Sequence, residues 1–197
     1  MGYLTRRRSS ARRAVLAALS FFVMAVAACG AAGAAQSGSA HPAKWVQRKL
    51  YFTYLGFTTH YSCEGLRDKI RLVLLQLGAR KQGLDVHEAG CTAPEGGPEP
   101  FPAVAGTFYV LQPVSGEQAG SGSAAIVAAH WQNVQVRLGP SALGRAAQCE
   151  LLEQVKEKIV PLFNARNVRF RTDCIPHQLM TPGAALEVDV LKPSGRP

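Results

Sequence analysis

The chain has 197 residues, 47% of them apolar and 18% charged, which excludes a disordered or collagen-like polymer. One domain of this length buries roughly 70% of its unfolded surface, so it needs no structural metal to hold it together. The formal charge of +9 comes from 22 basic and 13 acidic residues. Five of the basic residues (Arg6, Arg7, Arg8, Arg12 and Arg13) fall in an acid-free N-terminal stretch, and without them the balance is 17 against 13. That remainder does not call for a nucleic-acid partner.

The arginines of residues 6–13 precede an uncharged apolar run over 14–28, too short to span a bilayer comfortably and suited to a signal-peptide core. Residues 1–28 are therefore expected to be an export signal. The run ends Val26-Ala27-Ala28-Cys29-Gly30, which resembles the bacterial lipobox. The resemblance implies a diacylglycerol on the Cys29 thiol and, with Gly30 following, the periplasmic face of the outer membrane. Several acyl chains at about 0.8 kcal/mol per buried CH₂ make a durable anchor. The alternative is ordinary cleavage near Ala34 or Ala35, which discards Cys29 and releases the protein to the periplasm or beyond. Residues 29–43 then read as the lipidated cysteine and a small, polar tether, and 44–193 as one domain.

Along that domain the first strand is expected over 46–59, where Leu50, Phe52 and Tyr54 alternate. A helix follows from Cys63, with Ser62 as N-cap and a stripe of Leu66, Ile70, Val73, Leu74 and Leu77. Strand-like stretches run up to Cys91 and over 106–114. After a Gly/Ser-rich loop at 115–123, a strand is expected over 125–138 and a second helix from Cys149, striped by Leu152, Val155, Ile159, Leu162 and Phe163. Pro161 should kink its last turn. Strands over 168–174 and 185–191 complete the chain.

The two helical segments superpose without a gap when Cys63 is laid on Cys149. Glu64/Glu150, Leu66/Leu152, Ala79/Ala165 and Arg80/Arg166 then coincide, and Gly78 falls on Asn164, both residues that tolerate the left-handed end of a helix. The fold expected is an α+β two-layer sandwich of duplicated β-α-β-β units, over about 46–114 and 124–191. Its sheet is mainly antiparallel, about six-stranded, with both helices on one face. An oxidising compartment and the repeat together predict the disulfides Cys63–Cys91 and Cys149–Cys174.

No phosphate loop, nucleophile elbow, paired-histidine zinc motif or C-x-x-C pair is present, so no cofactor or metal is expected. His60 near Cys63 suggests a thiol/imidazole dyad only until Cys149, which has Ala146 at the matching place, is compared. The stretch 54–91, with Tyr54-Leu55-Gly56-Phe57-Thr58-Thr59-His60-Tyr61-Ser62-Cys63-Glu64-Gly65-Leu66 and Gly78-Ala79-Arg80, resembles uncharacterised exported proteins of Gram-negative bacteria. The resemblance implies a compartment and no activity. The expectation is a non-enzymatic binding or interaction module in the cell envelope, with a structural accessory of an envelope complex as one alternative. The rival is an enzyme whose site is assembled from distant residues. An unidentified envelope protein or a polyanion is the partner class, with Lys156, Lys158, Arg166 and Arg169 as candidate polyanion contacts.

Overall fold

The computed structural model describes residues 39–57, 60–92, 96–114, 125–138, 146–173 and 184–195. The elements are β1 (His41–Thr53), α1 (Cys63–Gln76), β2 (Asp85–Ala89), β3 (Ala103–Pro113), β4 (Ile126–Val136), α2 (Ala146–Gln154), β5 (Arg166–Thr172) and β6 (Ala184–Pro193). The strands form one sheet in the order β2-β3-β1-β4-β6-β5, with every neighbouring pair antiparallel. It is an α+β sandwich, six strands under two helices.

Period-two alternation sorts the sheet's residues to two faces. Leu50, Phe52, Val104, Phe108, Val110, Val134, Val136, Leu186, Val188 and Val190 point to the helical layer. There they form one core with Leu66, Ile70, Val73, Leu74 and Leu77 of α1 and its end, and with Leu151, Leu152, Val155 and Ile159 of the second helix. Because both helices share this cluster, both lie on the same face. The residues of the other parity, Ala43, Leu111, Ala129 and Leu191, form a small second cluster on the open face, flanked by Trp45, Val127 and Trp131.

Each half lays its strands in the same order, first, third, second, outward from a β1/β4 seam. The seam is short, with pairs from His41↔Ala129 to Lys44↔Ile126. Beyond it each first strand has a free edge, and the helix of the opposite half covers part of it. The Gln154 side chain accepts from Leu55 N (3.0 Å) and donates to Leu55 O (2.9 Å). Gln76 of α1 does the same at Arg137, accepting from N (2.7 Å) and donating to O (2.6 Å). Lys158 and Lys69 donate to Thr53 O and Leu138 O. A glutamine that copies a strand's donor and acceptor closes an edge that would otherwise invite another chain.

The sequence reading needs correction at several points. β1 starts at His41, earlier than residue 46, and takes up the last residues expected in the tether; Ala43 is fully buried there, and a small side chain gives little hydropathic signal. Gly78 does end α1 in the left-handed region (φ 95°), but Asn164 does not; its side chain instead donates to Leu111 O at 2.8 Å. The left-handed asparagine is Asn167 (φ 52°), at a bulge in β5. Ser62 caps α1 through Oγ, which accepts from Gly65 N at 3.1 Å. Pro161 disturbs the second helix as expected: it widens into a π turn over Val155–Ile159 and tightens into a 3₁₀ turn over Val160–Leu162.

Candidate binding face

Cys63 and Cys91 are disulfide-bonded, with Cα atoms 6.4 Å apart. The bridge ties the start of α1 to the residues just after β2, across a separation of 28 residues. The chain-entropy model assigns such a loop about 3–4 kcal/mol. Cys149 is disulfide-bonded as well. Its expected partner Cys174 lies outside the described residues, as do Cys29, the export signal and His177. Two of the expected pairing cysteines are thus joined to each other, and the thiol/imidazole dyad at Cys63 has no thiol.

Among the described residues no group of three His, Cys, Asp or Glu side chains has metal-binding geometry, and no helix is long and apolar enough to cross a membrane. A depression of about 330 Å³ lies between the end of β4 and the second helix, lined by Gln135, Arg137, Leu138, Gln148 and Leu152 among others. Among the described residues its lining carries no carboxylate or histidine.

The most polar buried cluster is structural. Glu150 Oε2 accepts from Tyr54 Oη (3.0 Å) and Phe57 N (3.1 Å), fixing the turn after β1 to α2. Burial, and then the Glu150 charge, push the Tyr54 and Tyr61 hydroxyls far above the usual phenol range. These tyrosines stay neutral and pack edge to face with centroids 5.0 Å apart. Glu99, 5% exposed, accepts from Thr92 N and Oγ1 at 3.0 and 3.1 Å. Both carboxylates hold neighbouring backbone in place.

The four candidate polyanion residues divide between the layers. The Lys156 ammonium lies 5.0 Å from the Phe170 ring and Lys158 5.7 Å from that of Phe52, both on the helical side. Arg166 and Arg169 belong to the open face: Arg166 pairs in register with Asp189 and Arg169 with Glu187, whose side chains share the parity of Leu191. The four do not make one patch.

On the open face the Arg166 guanidinium stacks on Trp131, 3.9 Å from the ring centroid, and the Arg80 guanidinium lies 5.9 Å from the centroid of Trp45. These are the chain's only two tryptophans. The offset of 86 residues that lays Cys63 on Cys149 also lays Trp45 on Trp131, Arg80 on Arg166 and Ala43 on Ala129. It lays Pro42 on Ala128, and these two are paired across the seam. Val114 N donates to Pro42 O and Ser194 N to Ala128 O, each at 2.9 Å. The sequence comparison matched the helices alone and missed the tryptophans, although the same offset aligns them.

The two stacks differ in their surroundings. Beside Arg166, the Asp189 carboxylate accepts from Asn133 Nδ2 (2.8 Å) and Asn167 Nδ2 (2.7 Å), and these bonds hold its pKa below the usual carboxylate range. Beside Arg80, the Tyr109 carbonyl accepts from Arg80 N at 3.0 Å. No protein-family model, curated protein or solved structure matches this chain.

Proposed function

We propose that the protein is an exported envelope component, lipidated at Cys29, that works without catalysis as an interaction module through the open face of its sheet. The observation that carries this reading is the pair of Arg–Trp contacts on that face, Arg166 stacked on Trp131 and Arg80 beside Trp45. Tryptophan and arginine are enriched where proteins meet partners, and here two half-buried tryptophans lie beside exposed arginines. The reading takes the two halves as copies of one β-α-β-β unit; the shared strand order, the self-paired seam position and the common offset support it. The cysteines agree with an oxidising compartment.

A second contact is favoured by one observation, the exposure of Tyr51 (73%), Phe57 (75%), Phe101 (65%) and Leu55 (48%) around the far end of β1. Thr53 pairs with Ala103 there, and Tyr54 N donates to Pro102 O, so these residues share one tip of the molecule. A structural accessory of an envelope complex would meet its neighbour at this tip.

Photo-crosslinking amino acids placed at Gln47 and Asn133 on the open face, Phe57 at the tip, and Arg71 and Glu153 on the helices test the reading in intact cells. Adducts at Gln47 and Asn133 are expected, those at Phe57 report the accessory contact, and adducts confined to the helical positions overturn the open-face reading. Labelled palmitate should enter the wild type and not Cys29→Ala. Substrate turnover abolished by changing one histidine or carboxylate would replace the module with an enzyme.

A further inference from the structure

Resting on the envelope reading above, we infer that the tip at the far end of β1 inserts into a lipid bilayer surface, so that the second contact of this molecule is with lipid and not with a protein neighbour. The tip carries Tyr51, Leu55, Phe57 and Phe101, exposed by 73%, 48%, 75% and 65%. Thr53 pairs with Ala103 and Tyr54 N donates to Pro102 O, so Leu55 and Phe101 come next on adjacent stretches of chain. Side chains this exposed stand out from the surface, where a fluid bilayer can envelop them.

The backbone of the tip selects lipid over protein. An apolar medium offers no hydrogen bonds, so a segment that enters it must have its N–H and C=O groups satisfied from within. The Thr53 carbonyl accepts from Lys158 at 3.3 Å, and the Gln154 side chain holds both Leu55 N and Leu55 O, at 3.0 and 2.9 Å. Phe57 N donates to Glu150 at 3.1 Å and Tyr54 N to Pro102 O at 2.9 Å. A strand end that received another protein's chain would keep such groups for that chain, as sheet edges do when a peptide is added to them. Here the second helix has taken them, and what Leu55 and Phe57 offer outward is apolar side chain. Tyr51 adds a ring with a hydroxyl at its end, which suits the boundary between hydrocarbon and water. Lys49, exposed two residues before Tyr51 on the same strand face, can keep its ammonium among lipid head groups while its stem lies along them.

The length of chain ahead of the domain fits the same partner. Cys29 lies twelve residues before His41. A stretch of that length reaches at most about 40 Å. β1 has 13 residues, from His41 to Thr53. At about 3.3 Å per residue it covers roughly the same distance. A chain anchored by lipid at Cys29 can therefore fold back until its tip meets the membrane that holds it, and a shorter connection would keep the tip off that surface whenever β1 stands upright. The anchor also makes insertion intramolecular, so a few apolar side chains suffice.

The test uses the mature chain as cells make it, with vesicles of phosphatidylethanolamine and phosphatidylglycerol that carry a radiolabelled acyl chain. Lipidated protein is reconstituted into the vesicles, and released protein is mixed with them. Benzoylphenylalanine replaces Tyr51, Phe57 or Phe101, or, as controls, Arg71 on α1 and Asn133 on the open face. Photolysis should attach lipid label to the three tip positions about ten-fold or more above the controls. With the probe at Tyr51, Phe57→Ser together with Phe101→Ser should lower the label by about ten-fold, because the variant loses two rings to bury. Thermal melting checks that this variant is folded. Raised salt should leave tip labelling undiminished, since apolar burial drives it, whereas a contact made through Lys49 alone would fade. Tip labelling no higher than at Arg71 or Asn133, full labelling in the folded double variant, loss of label with salt, or a crosslink in intact cells from Phe57 to protein in place of lipid overturns the inference. If the tip takes no lipid while Gln47 and Asn133 still capture a protein, the bilayer contact falls and the interaction module stands. If the tip is labelled and those two positions capture nothing, the module falls and the bilayer contact stands.

Discussion

Arg48 lies on β1 with the parity of Leu50 and Phe52, facing the helical layer, and its Nε is buried without a hydrogen-bond partner. In the other half the same offset puts Val134, an ordinary core residue, at this place. A buried donor left without an acceptor carries its full desolvation penalty, about 1–3 kcal/mol, partly offset here by the packing of the arginine stem. Arg48→Met keeps the stem's volume and removes the donor. It is expected to raise stability by about 1 kcal/mol in urea melts, and a lowered midpoint would mean that Arg48 has an acceptor in solution. Asp189 poses the opposite case, a carboxylate with two donors, Asn133 and Asn167. Their hydrogen bonds depress its pKa, so its contribution to stability is present above the unfolded carboxylate value and lost as pH falls through the folded one. Asn133→Ala removes the first of these donors. NMR titration of the Asp189 carboxyl should then show its pKa moving up toward the ordinary range, and an unmoved value would assign the depression to Asn167 and the neighbouring arginines.

At the scale of elements, the approach of β2 to β3 depends on a missing side chain. A Cβ at Gly106 would collide with the carbonyl oxygen of Asp85 on the paired strand, and backbone cannot swing aside as a flexible side chain can. Gly106→Ala should pry β2 off the sheet edge at a cost of about 2–4 kcal/mol, with hydrogen exchange of β2 amides rising before that of β1. Gly90 makes the useful contrast: its space is open and only its φ of 64° resists a side chain, so Gly90→Ala should cost about 1–2 kcal/mol. Equal losses at the two sites would refute the collision. Elements such as these were legible where a single period ruled. All five stripe residues of α1 and its end are buried at 0% exposure, because one helix face meets one core. The start of β1 was not legible, since its inward residue is an alanine. Nor were the Gln76 and Gln154 clamps, which exist only once the halves are brought together. The candidate face was half-legible: Arg80 and Arg166 stood in the helical alignment, but their placement beside Trp45 and Trp131 requires the turn of the chain after each helix.

Across the whole molecule, the sheet joins the two halves through only four residue pairs of β1 and β4, yet each helix works on the other half. Gln154 and Lys158 hold the end of β1, Gln76 and Lys69 hold the end of β4, and Asn164 reaches Leu111 O on β3. The main core draws on both halves without interruption, from Leu66 and Phe108 to Ile159 and Val188. Neither half can bury its own helix stripe and also satisfy its own free strand edge, so neither is a domain in the thermodynamic sense. Dividing the chain between residues 119 and 120, in the Gly/Ser-rich stretch, should therefore give two fragments that are weakly structured alone and refold when mixed. The mixture is expected to elute as a one-to-one complex and to melt cooperatively, below the uncut protein because association now costs translational freedom. Its midpoint should rise with concentration, as mass action requires when the folded state is the complex. The Cys63–Cys91 bridge lies within the first fragment and does not join it to the second. If the first fragment alone melts cooperatively at a midpoint independent of concentration, the cross-half clamps are dispensable and the molecule is two domains joined at a seam.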